Sequence, residues 1–345
     1  MVQVAVAGPK YMRVLRNILF IKGHNVPLAE SVRAANTRVT VPGHHHQQHC
    51  IELVRNRDYE GFLSSLLLPA EFRNSVFALR AFNVELAQVQ DLVSQKTIGL
   101  MRMQFWRQVI ENIYSDNPPH QPIAIELWKE CSFDLIATLV ETWTKDLNYR
   151  DEAVRKHKLT KRWFLRIIEE RERNLNEKAF RNIQELESYA ENAQSSFIYL
   201  VLEVLGVKDI HADHAASHIG KAQGIVTCLR STPYHCMRRK VYLPLDICLL
   251  HGVSQEDFIR GNCGKNVRDV IFDVASQAHV HLEHARSFCK NVPSKAYPAF
   301  LQTVVLDDYL DRIHKVDFNV FHPNLQKRNT MLPFYLYIRS WRKIY

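Results

Sequence analysis

The stretch LRSTPYHCMRRKVYLPLD, residues 229–246, gathers the cations Arg230, Arg238, Arg239 and Lys240 around Ser231 and His235. Concentrated positive charge at the edge of a cleft suits an anion, whether a leaving diphosphate or a lipid headgroup. An enzyme that handles a diphosphate also needs Mg²⁺, a hard ion with oxygen ligands, and therefore carboxylates beside those cations. Ser231 and His235 stand where such acids would be wanted. The residue types leave two readings open: an anion- or headgroup-contacting edge, and a solvated basic turn whose cations pair with acids elsewhere.

Histidines form the other chemical pattern. HADHAASH places His211, His214 and His218 at i, i+3 and i+7, one helix face that could ligate zinc, but no Cys or acid completes a fourth position at regular spacing. HVHLEH, residues 279–284, is a weaker signal, and GHHHQQH, residues 43–49, reads as a linker tract. We expect no metal and no cofactor. There is no Gly-rich phosphate loop, no HExxH and no GxSxG. The basic residues do not alternate with aromatics as RNA-binding modules require, so nucleic acid is not an expected partner.

The elements that must position these groups are helical. Apolar residues recur at three- and four-residue spacing near 71–95, 98–115, 161–178, 182–206, 212–231, 265–290, 295–313 and 324–342. No alternating strand pattern persists, and only 11 glycines punctuate 345 residues. With 46% apolar residues, the chain from residue 50 reads as one all-α domain of many packed helices. The balance of 45 basic against 36 acidic residues gives +9, which suits an anionic surface without choosing one. Seven scattered cysteines, an odd number with no CxxC, predict reduced thiols. The longest apolar run, FIYLVLEVLGV, is far short of the roughly 20 residues of a spanning helix and carries Glu203.

Residues 1–49 differ. Lys10, Arg13, Arg16, Lys22, Arg33 and Arg38 stand against Glu30 alone, and YMRVLRNILFIKGH interleaves apolar with basic residues. That is the profile of a mitochondrial transit peptide, with a disordered basic segment as the plainer alternative.

Two segments taken together resemble the squalene/phytoene synthase family: RAFNVELAQVQD, residues 80–91, and IGKAQGIVTCLRSTPYHCMRRKVYLP, residues 219–244. The resemblance implies an isoprenoid-synthase-type helical domain with a central cavity, in which paired aspartates on two helices hold Mg²⁺ against isoprenyl diphosphates. Gly220, Ala222, Leu229, Arg230, Arg238, Tyr242, Leu243 and Pro244 match the second family pattern, but the functional positions do not. Ala87 holds the place of the first aspartate of the first motif, and Asp91 keeps the last. In the second motif Ser231 and His235 replace the aspartates, Tyr234 replaces a glutamate, Thr227 an asparagine and Gly224 a glutamine. Glu85 is no substitute, because six residues turn a helix by about 240° and its carboxylate would diverge from that of Asp91. Losing one group that stabilises developing charge costs about 3–4 kcal/mol, and Pro233 is expected to end or distort the helix that presents these positions. These departures imply a pseudoenzyme with no catalytic residues.

Longer blocks, among them KTIGLMRMQFW, YAENAQSSFIYL and LPFYLYIRSWRK, resemble the non-catalytic mitochondrial branch of the same family, which serves assembly of respiratory complex I. This implies a matrix protein attached peripherally to the inner membrane. Its partners would be complex I assembly intermediates or the nascent, mitochondrially encoded membrane subunit near the quinone site, early in biogenesis. A lipid ligand is a further implied partner; the alternatives are a non-catalytic isoprenoid- or phospholipid-binding protein and an active prenyltransferase. The 129–152 stretch is longer than this branch leads us to expect and reads as an insertion.

Overall fold

Helix N-termini are set by local chemistry. In the computed structural model, which describes residues 42–93, 95–131, 159–175 and 179–345, α1 (Pro42–Arg57) opens on a proline. Proline's missing N–H is one that a first turn leaves unpaired anyway. The tract GHHHQQH is therefore helical, not a linker; Cys50 and Val54, four residues apart, bury the same face of α1. Asp58 caps α2 (Tyr59–Leu66) by accepting the Gly61 N–H at 3.0 Å. The long α3 (Ala70–Leu92) and α4 (Lys96–Tyr114) follow, then α5 (Pro122–Cys131) after the NPPHQP loop. The transit-peptide reading lies largely outside the described residues, as does the 129–152 insertion beyond Cys131.

After α6 (Lys161–Asn174), α7 (Ile183–Ala190) is capped by Asn182 and passes through a π-helical turn, Glu191–Ser195, into α8 (Ser196–Val204). The ladder ends at Gly206, whose φ of 64° only glycine adopts freely. Asp209 caps α9 (Ile210–Cys236). Two short helices, α10 (Leu245–Leu250) and α11 (Gln255–Ile259), precede α12 (Lys265–Ser287). The expected helix over 295–313 divides into a 3₁₀ segment, Ser294–Phe300, containing Pro298, and α13 (Gln302–Lys315). The one over 324–342 divides into α14 (Pro323–Gln326) and α15 (Leu332–Arg342). Among the described residues no strand occurs, and no helix is long and apolar enough to cross a membrane.

Two large apolar cores meet along α9. α1, α3, α4, α5, α6 and α8 enclose the first, with Ala212, Ala215, Ala216 and Ile219 of α9 completing it. Ala222, Ile225, Val226 and Leu229 of the same helix enter the second, built with α7, α10, α11, α12 and α13. Gly220 and Gly224 face the α7–π–α8 element at its bulge: a Cβ on Gly220 would lie 2.5 Å from the Ser195 backbone nitrogen, and one on Gly224 would lie 2.3 Å from the Ala190 Cβ. Pro42–Tyr345 form one compact unit.

Candidate functional site

The two segments singled out by sequence meet at the C-terminal ends of α3 and α9. Gln90 donates from Nε2 to the Tyr242 hydroxyl at 2.8 Å, and the Tyr242 ring meets His235 edge-on with centroids 4.8 Å apart. Ala87 and Asp91 on α3 are exposed, as are Thr227 and Arg230 on α9. Asp91 pairs with no cation among the described residues. The Ser231 hydroxyl turns back on its own helix and donates to the Cys228 carbonyl at 3.1 Å; Thr232 donates to the same oxygen at 2.9 Å.

Pro233 does not end this helix. It sits one turn from the end, so its ring removes a single interior bond, and α9 continues to Cys236. The helix stops in a Schellman turn instead: Lys240 N–H donates to the His235 carbonyl at 3.0 Å and Arg239 N–H to the Cys236 carbonyl at 2.9 Å. Arg239 takes the left-handed position at φ 56°, where glycine is favoured. Arg239→Gly is therefore expected to raise stability by roughly 0.5–1 kcal/mol, seen as a higher urea midpoint at unchanged slope. The lost ion pair subtracts little, because both partners are exposed.

The cations of this edge have partners inside the chain. Arg230 meets Glu60 of α2 at 2.5 Å; although its side chain is 45% exposed, desolvation by the surrounding chain works against its charge, but Glu60 more than offsets this and holds the guanidinium above its ordinary value. Arg239 meets Glu256 of α11 at 3.3 Å, and the Arg238 guanidinium lies 3.7 Å above the Tyr234 ring. Lys240 is half-buried.

The histidine face of α9 packs against the end of α12. His214 and His218 stack on Phe288, with His214 at 5.8 Å between centroids, and His211 meets the same ring at a tilt of 31°. His218 meets His281 Nδ1 to Nδ1 at 3.0 Å and stacks on His284 at 4.3 Å; His281 Nε2 reaches Glu187 at 3.2 Å. Among the described residues no three His, Cys, Asp or Glu side chains are grouped to hold a metal ion. All seven cysteines are free, and burial pushes the Cys50 and Cys228 thiols up to about 12.

His218 carries a pH dependence. Burial first, then the neighbouring His284, His281 and Lys221, against the opposing Glu191, lower its pKa from 6.5 to about 4. The folded chain thus holds His218 neutral where the unfolded chain protonates it. Its stabilising contribution is complete above pH 6.5 and is lost as pH falls toward 4. Discounted for partial exposure, the loss is on the order of 2 kcal/mol. Denaturant midpoints measured across that range are expected to fall for the wild type and to flatten for His218→Phe.

Sequence reasoning missed one polar cluster. Arg80 of α3 donates from Nη1 to Asp58 at 2.8 Å and from Nε to Ser65 at 2.9 Å, beneath the Phe197 ring. A Cβ on Gly61 would fall 2.1 Å from both Arg80 Nη1 and Asp58 Oδ2, so the bridge exists because that residue has no side chain. A glycine inside a short helix was the available signal. Arg80, Ser65, Phe197, Gln223 and Gln302 line a cavity of about 10 Å³ between α3 and α9. That is about enough for one water molecule, and the buried Gln302 Oε1 has no hydrogen-bond partner among the described residues.

A sequence profile described as squalene/phytoene synthase matches residues 54–331. The chain is 68% identical over 297 residues to a Homo sapiens protein named NADH dehydrogenase (ubiquinone) complex I, assembly factor 6, covering 86% of this chain and 82% of that one. It is 40% identical over 300 residues to a Drosophila melanogaster homolog of that factor, covering 85% and 83%. Among solved structures, squalene synthase HpnC from Alicyclobacillus acidocaldarius superposes with TM-score 0.65 at 16% identity, over 81% of this chain and 97% of that one. A dehydrosqualene synthase in complex with ligand gives 0.68 at 14%, over 88% and 98%. At these identities the solved structures share the fold.

Proposed function

The chain belongs to the squalene/phytoene synthase family, and from that premise we propose that it works as an assembly factor for mitochondrial respiratory complex I and not as a prenyltransferase. The observation that carries this reading is the 68% identity, over most of both chains, to a human protein named for that role. The residues support the loss of chemistry. Of the aspartate positions that would hold Mg²⁺–diphosphate, Ala87 and Ser231 have no carboxylate, His235 faces Tyr242, and Asp91 stands alone. A lone carboxylate does not assemble the oxygen-rich cluster that hard Mg²⁺ requires.

In this reading the protein acts early, beside the nascent membrane subunit near the quinone site, from the matrix face of the inner membrane. The edge Arg230, Arg238, Arg239 and Lys240 is a proposed headgroup contact; Arg238, stacked on Tyr234 and exposed, is the member to substitute first.

Two measurements test the function. Cells lacking the protein are expected to lose assembled complex I and to regain it on re-expression; normal complex I without it would end the assembly reading. Purified protein given Mg²⁺ and farnesyl or geranylgeranyl diphosphate is expected to release no diphosphate above background. Turnover would end the pseudoenzyme reading and leave the assembly role standing.

A further inference from the structure

α15 is fixed to the molecule by one face only. Leu332 and Leu336 are buried against Leu63, Leu301, Val304 and Val305. The opposite face is apolar as well, yet it meets solvent: Phe334 is 49% exposed, Tyr335 45% and Trp341 74%. At 3.6 residues per turn, Phe334, Ile338 and Trp341 fall within about 60° of one another, with Tyr335 and Arg342 on one flank. Met331 just before the helix and Ile344 just after it extend the exposed apolar stripe.

Charge on this segment is of one sign. Between Phe318 and Tyr345 there is no Asp or Glu, although the chain holds 36 of them, while Lys327, Arg328, Arg339, Arg342 and Lys343 all fall there. Arg339, Arg342 and Lys343 enter none of the ion pairs among the described residues. An apolar stripe of Phe, Tyr and Trp flanked by cations that no acid offsets is complementary to one kind of surface: a negatively charged bilayer interface. There the aromatic rings sit at headgroup level and the cations meet lipid phosphates.

We propose that α15 lies flat on an anionic phospholipid surface through Phe334, Ile338 and Trp341, with Arg342 and Lys343 contacting headgroups. This deepens the reading above by naming a membrane-contacting surface additional to the Arg230–Lys240 edge, and rests on that reading only for which membrane it is. The buried Leu332 and Leu336 hold the helix in place beforehand, so little ordering accompanies binding.

The full chain is mixed with vesicles of phosphatidylcholine alone or with added phosphatidylglycerol, and bound protein is separated by flotation. Wild type is expected to float with the anionic vesicles and to be released by salt. Phe334→Ser/Trp341→Ser is expected to bind roughly tenfold more weakly, and Arg342→Gln/Lys343→Gln about tenfold more weakly with the salt response blunted. Unchanged thermal midpoints certify the variants, and quenching of Trp341 by brominated lipid, absent in Trp341→Phe, reports its depth. Equal flotation of wild type and both variants overturns the assignment, as does equal binding to neutral vesicles. Absence of binding to protein-free vesicles also overturns it and points to a protein on this face. Complex I assembly in depleted cells is read separately, so failure here leaves the assembly reading intact.

Discussion

Gly220→Ala is expected to destabilise the folded chain by about 3 kcal/mol or more, at the upper end of overpacking substitutions. The added methyl would lie 2.5 Å from the Ser195 nitrogen and 2.6 Å from its Cα. Both are backbone atoms, so no side-chain rotation makes room and α9 must move away from the π turn. The clash at Gly224 is of another kind. There the nearest atom is the Ala190 Cβ at 2.3 Å, a group that substitution can remove. Gly224→Ala is expected to cost about 1–3 kcal/mol, and Ala190→Gly in the same chain to recover part of it. Ser195→Gly is expected to recover little in Gly220→Ala. Urea midpoints of the four variants decide the matter, and equal rescue at both sites would show that the two contacts are not different in kind. Gly224→Gln, which restores the residue usual in the family, is expected to be worse than Gly224→Ala.

Arg80→Met is the second large expectation. The Arg80 side chain is 11% exposed and that of its partner Asp58 is 27% exposed. Methionine keeps the packing against Phe197 and removes the charge, leaving Asp58 half-buried without its cation. Breaking a buried pair from one side costs about 3–5 kcal/mol, and partial exposure of Asp58 places this one near the lower figure. Asp58 still caps α2 through the Gly61 N–H, so Asp58→Asn is expected to retain the cap and lose the charge. Combined with Arg80→Met, it is expected to be less destabilising than the sum of the two. Strict additivity in thermal or urea unfolding would show that the two side chains do not act as a pair.

What was legible in the sequence followed from local periodicity. The face of His211, His214 and His218 could be read at three- and four-residue spacing, because a helix sorts those positions by itself. Phe288, which all three meet, could not, since contacts across such separations leave no local pattern. The same limit applies to Gly220 and Gly224: the family pattern accounts for the first, but their use as a seat for the bulged helix shows only once Ser195 and Ala190 are placed beside them. Pro233 misled because its effect depends on distance from the helix end, which residue type does not supply. α10 and α11 are too short for periodicity to reveal, although the Ser254–Asp257 capping box of α11 was present in the residues. Of the candidate edge, its cations could be read; the acids that meet two of them, Glu60 and Glu256, belong to other helices.

That α9 passes from one core into the other bears on how the molecule comes apart. A helix can fray from either end, but its middle, from Ile219 to Ala222, is held on both sides. Opening one core there strips the packing of the other, so neither half has a private route to unfolding. Amide protons in that stretch should exchange with solvent only when the whole domain opens, making it the slowest-exchanging part of the chain. The two cores would then behave as a single cooperative unit.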